Sequence, residues 1–259
     1  MPVGQDKLRA RQGVEVAGAT DVGCQRQNNE DRYLYWEPSD EKDFQSQGRL
    51  AVVADGMGGH EGGQEASRIA TEAIREAYAG EHTGDPQAGL LTGFRRAHEK
   101  VIQYAAQHLE LRGMGTTATA IVLRECQLSY AHIGDSRLYR VHGQEISRLT
   151  RDHSYVGRLF ENGVITAEEA EVHPQRHILT AALGTGPEIP PDIPEHPIPL
   201  EQGDVLVLCT DGLWGLLADQ EIQQIVASNN AADACGKLIE MAKQRGGPDN
   251  ITVVVLRVS

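Results

Sequence analysis

Four short β-type segments follow one another between Gly115 and Thr150 with very little chain between them. Their apolar and β-branched runs cover Thr116–Leu123, Gln127–Gly134, Ser136–His142 and Gln144–Leu149, and only a few residues separate consecutive segments. A parallel pair of strands needs a crossover of a dozen or more residues, whereas an antiparallel pair can be joined by a tight turn. The spacing therefore predicts a central sheet that is at least partly antiparallel.

Helical and strand patterns elsewhere occur in separate runs. Buried-strand patterns occupy Leu50–Ala54, Asp204–Cys209 and Ile251–Val258. An apolar stripe with helical spacing runs over Ala66–Tyr78, and Asp85 followed by proline predicts the start of a second helix. Two more helices fall between the last two strands, one with Asp219 as its expected N-cap and one ending at Gly246. This segregation predicts an α+β fold in which helices cover one or more sheets.

The stretch from about Asp152 to Pro199 interrupts this pattern. Short helical patterns near Tyr155–Asn162 and Ala167–Val172 are followed by six of the chain's eleven prolines within thirteen residues. We interpret the stretch as an insertion within a single domain that spans residues 1–259. Two readings of it stay open, a mobile flap beside the functional site and a surface connector.

Charge and composition exclude several classes of protein. The chain has 37 acidic and 24 basic residues among 259 and a formal net charge of −13, so it lacks the basic surplus that nucleic acid or an anionic membrane requires. No apolar run approaches the roughly 18 residues of a membrane span, and no apolar signal segment opens the chain. We therefore expect a cytoplasmic protein. The cysteines are expected to be free and buried, with Cys126 exposed at a turn.

Several acidic residues stand at the ends of the predicted strands. Asp55, Asp135 and Asp211 each follow a strand, Asp249 precedes one, and Asn29–Asp31 lies near another. One such aspartate usually indicates only a turn, but several at strand ends can meet at one edge of an antiparallel sheet. Clustered carboxylates repel one another unless a cation lies among them. An oxygen-only set of donors favours Mg²⁺ or Mn²⁺ over zinc.

These acids lie in motifs that resemble the type 2C metal-dependent serine/threonine protein phosphatases. The motifs are TDVG (Thr20–Gly23) with Arg26 and Asn29–Asp31, VVADGMGGH (Val52–His60), GTT (Gly115–Thr117), HIGDSRLY (His132–Tyr139), LTRDHS (Leu149–Ser154), ALG (Ala182–Gly184), TDG (Thr210–Gly212) and GPDNITVVV (Gly247–Val255). They occur in family order over nearly the whole chain. The DGMGGH form is similar to the bacterial branch.

The resemblance implies a fold, an activity and partners. The fold is a four-layer αββα sandwich of two antiparallel β-sheets flanked by α-helices, with a flap insertion. The activity is the dephosphorylation of proteins that carry phosphoserine or phosphothreonine, which a serine/threonine kinase produces. The enzyme would act as a monomer in bacterial signalling. Alternatives are a phosphatase dedicated to a small phosphoester or to one regulatory phosphoprotein, and an inactive relative that only binds phosphoproteins.

The resemblance also assigns residues to a dinuclear Mg²⁺ or Mn²⁺ centre. Asp55 bridges both metal ions, and the main-chain carbonyl of Gly56 binds one of them. Asp211 and Asp249 hold the other ion, and Glu30 contacts a water on the metal. Two such ions activate water near neutral pH, so the reaction needs no side-chain nucleophile.

Further residues complete the implied site. Asp31 belongs to the metal site, as a partner of the ligands more than as a direct ligand, and Asp135 with Asp211 holds a third, weaker metal ion. Arg26 grips the phosphate of the substrate. His60 is a candidate acid that protonates the leaving group, and its alternative role is that of an ordinary loop histidine.

Overall fold

The computed structural model describes residues 4–7, 10–59, 61–80 and 84–259. In these residues the strands, in chain order, are β1 (Gly4–Lys7), β2 (Val14–Asp21), β3 (Asp31–Trp36), β4 (Arg49–Met57), β5 (Gly115–Thr116), β6 (Ala118–Arg124), β7 (Gln127–Ile133), β8 (Arg137–His142), β9 (Glu145–Arg148), β10 (Ile198–Pro199), β11 (Val205–Cys209) and β12 (Ile251–Val258). They form two sheets. The first has the order β1-β2-β12-β11-β8-β9, and the second has the order β10-β7-β6-β4-β3, with β5 paired to the end of β4.

Every pairing between the described strands is antiparallel. The hairpins β6–β7 and β8–β9 follow the short connections that the sequence predicted. The connection from β7 to β8 does something different, because these two strands belong to different sheets. Gly134 has a φ of +107° there, and a Cβ atom on it would lie 2.5 Å from the Thr117 side chain. Asp135 therefore lies where the chain crosses between the sheets.

Helices cover the outer face of each sheet. Their bounds are α1 (Glu41–Gln47), α2 (Glu61–Gly80), α3 (Pro86–Gln107), α4 (Tyr155–Glu161), α5 (Ala167–Glu171), α6 (Asp211–Trp214), α7 (Asp219–Ser228) and α8 (Ala231–Gln244). The apolar stripes of α2 and α3 pack on the second sheet, and α6, α7 and α8 pack on the first. The αββα sandwich is confirmed.

The strand β11 explains why the core sequences read as continuous apolar runs. Leu206 and Leu208 face the core between the two sheets, while Val205, Val207 and Cys209 face the helices that cover the first sheet. Since both faces of the strand are buried, apolar residues occupy every position and the usual alternation with polar residues disappears.

Two helix starts test the expected caps. The carboxylate of Asp85 accepts from the main-chain N–H of Gln87 at 2.9 Å, and α3 begins at the following proline as predicted. The prediction for Asp219 is wrong by one position, since Ala218 is the N-cap and Asp219 is the first helical residue. Glu221 accepts from the N–H of Ala218 at 3.0 Å, and Asp219 is favoured in the first turn by the helix dipole.

Residues 152–199, called the flap segment below, lie between β9 and β11 and contain α4, α5 and β10. The proline-rich return pairs with the second sheet, through Asp192 opposite His132 and through β10 beside β7. The two short helices lie close to their predicted positions. The flap segment is thus attached to β7 at its return.

The cysteines only partly follow expectation. All four are free, and Cys209 and Cys235 are buried. Cys126 is exposed as predicted, but Cys24 is exposed as well, because it lies in the loop between β2 and β3 and not in a strand. None of the helices among the described residues combines the length and apolarity needed to cross a membrane.

Candidate metal centre and active site

The strand topology brings the predicted acids to one edge of the sandwich. Asp31 begins β3 and lies opposite Asp55 of β4 in the strand register. Asp211 follows β11, Asp249 precedes β12, and Asp135 lies at the crossover between the sheets. A cleft of about 990 Å³ opens at this edge. The predicted residues that line it are Arg26, Glu30, Asp55, Gly56, Asp135, Asp211 and Asp249.

Asp31 lies beneath the cleft and is only 3% exposed. The hydroxyl of Thr210 donates to its Oδ2 atom at 2.8 Å, which ties the start of β3 in one sheet to the end of β11 in the other. Burial raises the pKa of Asp31 to about 7, more than hydrogen bonds from Thr252 and Thr210 lower it, and the negative charge of Asp211 adds to the increase.

The other aspartates of the cleft share this electrostatic situation. Burial and the charges of Asp31 and Asp211 raise the pKa of Asp55 well above its ordinary value. Burial and Asp211 raise the pKa of Asp135, and burial and Asp249 raise the pKa of Asp211. The main neighbours of each carboxylate are other carboxylates. A cation among them would favour the ionised forms of all of them.

These residues fit a divalent cation that prefers oxygen ligands. Asp31 Oδ1 and Asp211 Oδ1 are buried and accept no hydrogen bond from any residue that the structure describes. Among the described residues, no three acidic, histidine or cysteine side chains converge into a ready cage for an ion. The side chains that the predicted residues offer here are carboxylates, and such oxygen donors favour Mg²⁺ or Mn²⁺ over zinc.

The main chain around Asp55 is fixed by two threonines. Its N–H donates to Thr117 Oγ1 at 3.0 Å. Its carbonyl oxygen accepts from Thr116 Oγ1 at 2.8 Å and from the N–H of Thr117 at 2.9 Å. The GTT motif thus holds the strand that presents the central carboxylate.

Asn250 organises the loop that carries Glu30. Its Oδ1 accepts from the N–H of Glu30 at 2.8 Å, and its Nδ2 donates to the carbonyls of Val22 at 3.0 Å and Asn28 at 2.9 Å. Ser67 Oγ donates to the Glu30 carbonyl at 2.6 Å. The residue after Asp249 therefore sets the position of Glu30, which is 8% exposed.

Glycines beside the acids allow chain segments to approach closely. A Cβ atom on Gly56 would lie 2.0 Å from the carbonyl oxygen of Gly63, and one on Gly63 would lie 2.1 Å from Glu30 Oε2. A Cβ atom on Gly212 would lie 1.9 Å from the Asn250 carbonyl. Gly56, Gly63 and Gly212 are therefore needed to bring the acid-bearing segments together.

Arg26 places a positive charge in the cleft. Its Nη2 lies 2.8 Å from Asp249 Oδ2, and 49% of its side chain is exposed. The loop before it packs against the Asp249 loop, where the N–H of Cys24 donates to the Gly247 carbonyl at 2.7 Å. The guanidinium is thus near the carboxylates and accessible from the cleft.

Of the two motif histidines His60 and His132, the structure describes only His132. His60 lies outside the described residues. His132 is fully buried, with Nδ1 at 2.8 Å from Thr119 Oγ1 and Nε2 at 2.9 Å from the Arg151 carbonyl. Burial lowers the pKa of His132 to about 4, so its neutral ring has a structural role.

Sequence reasoning missed several residues of the cleft. Arg176 and His177 reach it from the flap segment, and His177 Nδ1 lies 4.0 Å from Asp211 Oδ2. Trp214 lines the cleft as well, and its indole N–H donates to the carbonyl of Asp135 at 2.9 Å. Trp214 lies three residues after Asp211 on α6, and this spacing was an available signal. The flap residues carried no such signal.

Comparisons with known proteins identify the family. The profile of the family described as Protein phosphatase 2C matches residues 25–250. The chain belongs to the protein phosphatase 2C family. Protein phosphatase PhpP of Streptococcus pneumoniae is 37% identical over 255 residues, which are 95% of this chain and 98% of PhpP.

Solved structures of this family share the fold. The Mycobacterium tuberculosis serine/threonine phosphatase PstP/Ppp superposes with a TM-score of 0.84 at 36% identity, covering 95% of this chain and 99% of that one. A structure of the PstP catalytic domain in complex with two manganese ions has a TM-score of 0.81 at 34% identity, covering 95% and 98%. Like its relatives, this chain is a metal-dependent serine/threonine protein phosphatase.

Proposed function

We propose that the carboxylate edge is the catalytic centre and that it holds two Mg²⁺ or Mn²⁺ ions. Asp55 would be a ligand of both ions, the Gly56 carbonyl would complete the first site, and Asp211 and Asp249 would provide the second. The observation that carries this proposal is the convergence of Asp55, Asp135, Asp211 and Asp249 on one cleft. Burial and neighbouring carboxylates raise the pKa values of the first three. The two manganese ions in the related PstP structure support the number of ions.

The residues of the chain have separate tasks in this proposal. When bound, the metal ions supply positive charge and a nucleophilic water at neutral pH. Arg26 binds and orients the phosphate of the substrate with its paired N–H donors. Glu30, at the wall of the cleft, would contact a water held by a metal ion. Hydrolysis replaces the ester P–O bond with a P–O bond to water and releases phosphate and the serine or threonine hydroxyl.

Two further aspartates support this arrangement. Asp31 holds Thr210 and contributes negative charge beneath the cleft, so it stabilises the bound cations from below more than it ligates them. Asp135, together with Asp211, forms a third and weaker cation site. The negative charge of Asp211 contributes to the raised pKa of Asp135, which supports their pairing.

His60 is proposed as the acid on the motif alone, against the role of an ordinary loop histidine. An alkyl leaving group needs protonation more than an aryl leaving group does. His60→Ala should therefore slow hydrolysis of a phosphothreonine peptide more than that of an aryl phosphate. Equal effects on both substrates would remove His60 from the mechanism.

The setting of the enzyme is proposed from the same reasoning. Residues 1–259 act as one catalytic domain, with the flap segment beside the cleft, as a cytoplasmic monomer. Its substrates are the phosphoproteins made by a serine/threonine kinase. Arg176 and His177 place parts of the flap segment in the wall of the cleft, which supports a flap over a simple connector.

The direct test is phosphate release from a phosphothreonine peptide by the purified chain. We expect turnover with Mn²⁺ or Mg²⁺, loss of turnover with a chelator, and recovery on adding the metal back. Turnover that persists in the chelator would overturn the proposed centre. Comparing the peptide with a small phosphoester separates a protein phosphatase from one dedicated to small substrates.

A further inference from the structure

The guanidinium of Arg137 lies at a junction of three parts of the molecule. Nε and Nη2 donate to the two carboxylate oxygens of Asp152 at 3.1 and 2.7 Å, and Nη1 donates to the Tyr139 hydroxyl at 3.1 Å. Its Cζ atom stands 3.5 Å from the centre of the Trp214 ring, and only 14% of the side chain is exposed. A planar guanidinium can donate two parallel hydrogen bonds to a carboxylate and stack on an aromatic ring at the same time, which a lysine cannot do.

Trp214 connects this junction to two of the acids in the cleft. Its indole N–H donates to the main-chain carbonyl of Asp135, and it ends the short helix that Asp211 begins. Asp135 and Asp211 come from different strand ends, 76 positions apart in the chain. Trp214 therefore links the two main-chain segments that carry them.

Asp152 connects the same junction to the start of the flap segment. The next residue, His153, donates its N–H to the Gly134 carbonyl at 2.7 Å, and its Nδ1 accepts from the N–H of Gly134 at 3.2 Å. The crossover that carries Asp135 is thus held by the flap segment on one side and by the Arg137–Trp214 stack on the other.

We propose that Arg137 is a positioning residue that fixes Asp135 relative to Asp211, through Trp214 and Asp152, and so sets the affinity of the cation site between these two carboxylates. Arg137 acts through other residues and does not touch the substrate. The inference rests on the metal-binding roles proposed above for Asp135 and Asp211. It assigns to the arginine of the GDSR sequence a task beyond that of a local ion pair.

Two variants separate this role from simple stabilisation. Arg137→Lys keeps the positive charge but loses the paired hydrogen bonds to Asp152 and the stacking on Trp214. Trp214→Phe keeps an aromatic ring but loses the N–H donor. Mn²⁺ is titrated calorimetrically into chelator-treated, desalted protein without substrate. We expect both variants to weaken the weakest Mn²⁺ binding event about tenfold, as is typical for residues that orient metal ligands.

Kinetics and unfolding complete the test. With a phosphothreonine peptide, we expect kcat to fall about tenfold in both variants while KM changes less than about twofold. The matched control is Arg148→Lys, since Arg148 contacts the same Asp152 carboxylate at 3.3 Å from the edge strand β9. The control should keep the Mn²⁺ affinity and kcat of the wild type.

Unchanged Mn²⁺ affinity and kcat in both variants would overturn the inference, as would a lower unfolding temperature with no other change. If Arg137→Lys does not fold, Trp214→Phe decides the question alone. Failure of the wild type itself to bind Mn²⁺ would instead overturn the proposed function, so the two failures can be told apart.

Discussion

The two ends of the five-residue strand β11 carry aspartates in opposite circumstances. Asp204, directly before the strand, is 0% exposed and bonds Arg140 at 2.7 Å, His142 at 2.8 Å and the N–H of Glu201 at 2.8 Å. Burial alone would raise its pKa, but these three partners together lower it below the ordinary value. At the other end, the pKa of Asp211 is raised, by burial and by Asp249.

The groups around a carboxylate distinguish a structural acid from a functional one. A buried carboxylate with cationic and N–H partners is stabilised as an ion and fixes the fold. A buried carboxylate surrounded by other carboxylates destabilises the folded chain, and such perturbed groups in a cleft indicate a functional site. One strand of the first sheet thus carries an anchor at one end and the proposed cation site at the other.

The largest effect that would sharpen this comparison is expected at Asp211. Asp211→Asn keeps nearly the same side-chain shape but removes the negative charge of a proposed metal ligand. We expect kcat to fall at least about a hundredfold, because a bound metal ion contributes several kcal/mol of charge stabilisation to the transition state. In a chelator, the unfolding temperature should stay equal or rise, since one repelling charge is gone. A marked loss of stability in the chelator would make Asp211 an anchor like Asp204.

The opposite pattern is expected at Asp204. Asp204→Asn leaves Arg140 without its buried counter-ion and should lower the free energy of unfolding by about 3 kcal/mol. Denaturant unfolding measures this loss, and kcat at a temperature where the variant is folded should stay within about twofold of the wild type. The control is Glu201→Gln, which removes a charge nearby while Glu201 bonds Asp204 only through its main chain. A large loss of kcat would show that Asp204 has a role in catalysis as well as in stability.

The pH dependence of stability should separate the two ends as well. The folded-state pKa of Asp31 is raised to about 7 from 3.8, so in a chelator the protein gains stability from this group at low pH and loses it as the pH rises from about 4 through about 7. Relative to Asp31→Asn, the wild type should lose on the order of 2 kcal/mol between pH 5 and pH 8.

Chemical unfolding of both proteins at several pH values measures that difference. Asp204 predicts the opposite sign, since its folded-state pKa is lowered and its contribution is lost as the pH falls through that value. A difference between the wild type and Asp31→Asn that does not depend on pH would show that Asp31 is not destabilised by burial.

The smallest effect is expected at Arg26, whose guanidinium contacts Asp249 in the cleft. Arg26→Ala should raise KM for a phosphopeptide about tenfold, because it removes a phosphate contact worth about 1.4 kcal/mol at a half-exposed site. The matched control is Arg68→Ala on α2, where Arg68 pairs with Glu65 and Glu72. Equal KM values for wild type and Arg26→Ala would remove Arg26 from phosphate binding.

The sequence predicted those parts of the fold that local patterns determine. The strand Ile251–Val258 was identified with its exact bounds because it is buried on both faces and apolar almost throughout. The start of α3 followed from an N-cap aspartate and a proline. The acids that line the cleft could be predicted as a group because each stands near a strand end inside a motif.

The sequence could not predict what depends on distant contacts. The strand β3, with only one buried residue, carried no strong pattern. The passage of β7 and β8 into different sheets is imposed by packing across Gly134, and a short connection looks the same in either case. Arg176 and His177 enter the cleft only through the path of the flap segment.

The most direct test of the central claim, that the acid-lined end of β11 is a cation site, is a calorimetric titration of chelator-treated protein with Mn²⁺ at pH 7.5, compared with Asp211→Asn and Asp204→Asn. We predict two or more ions bound per wild-type chain, at least one fewer in Asp211→Asn, and wild-type binding in Asp204→Asn. Fewer than one ion per wild-type chain, or the same loss in both variants, would contradict the account.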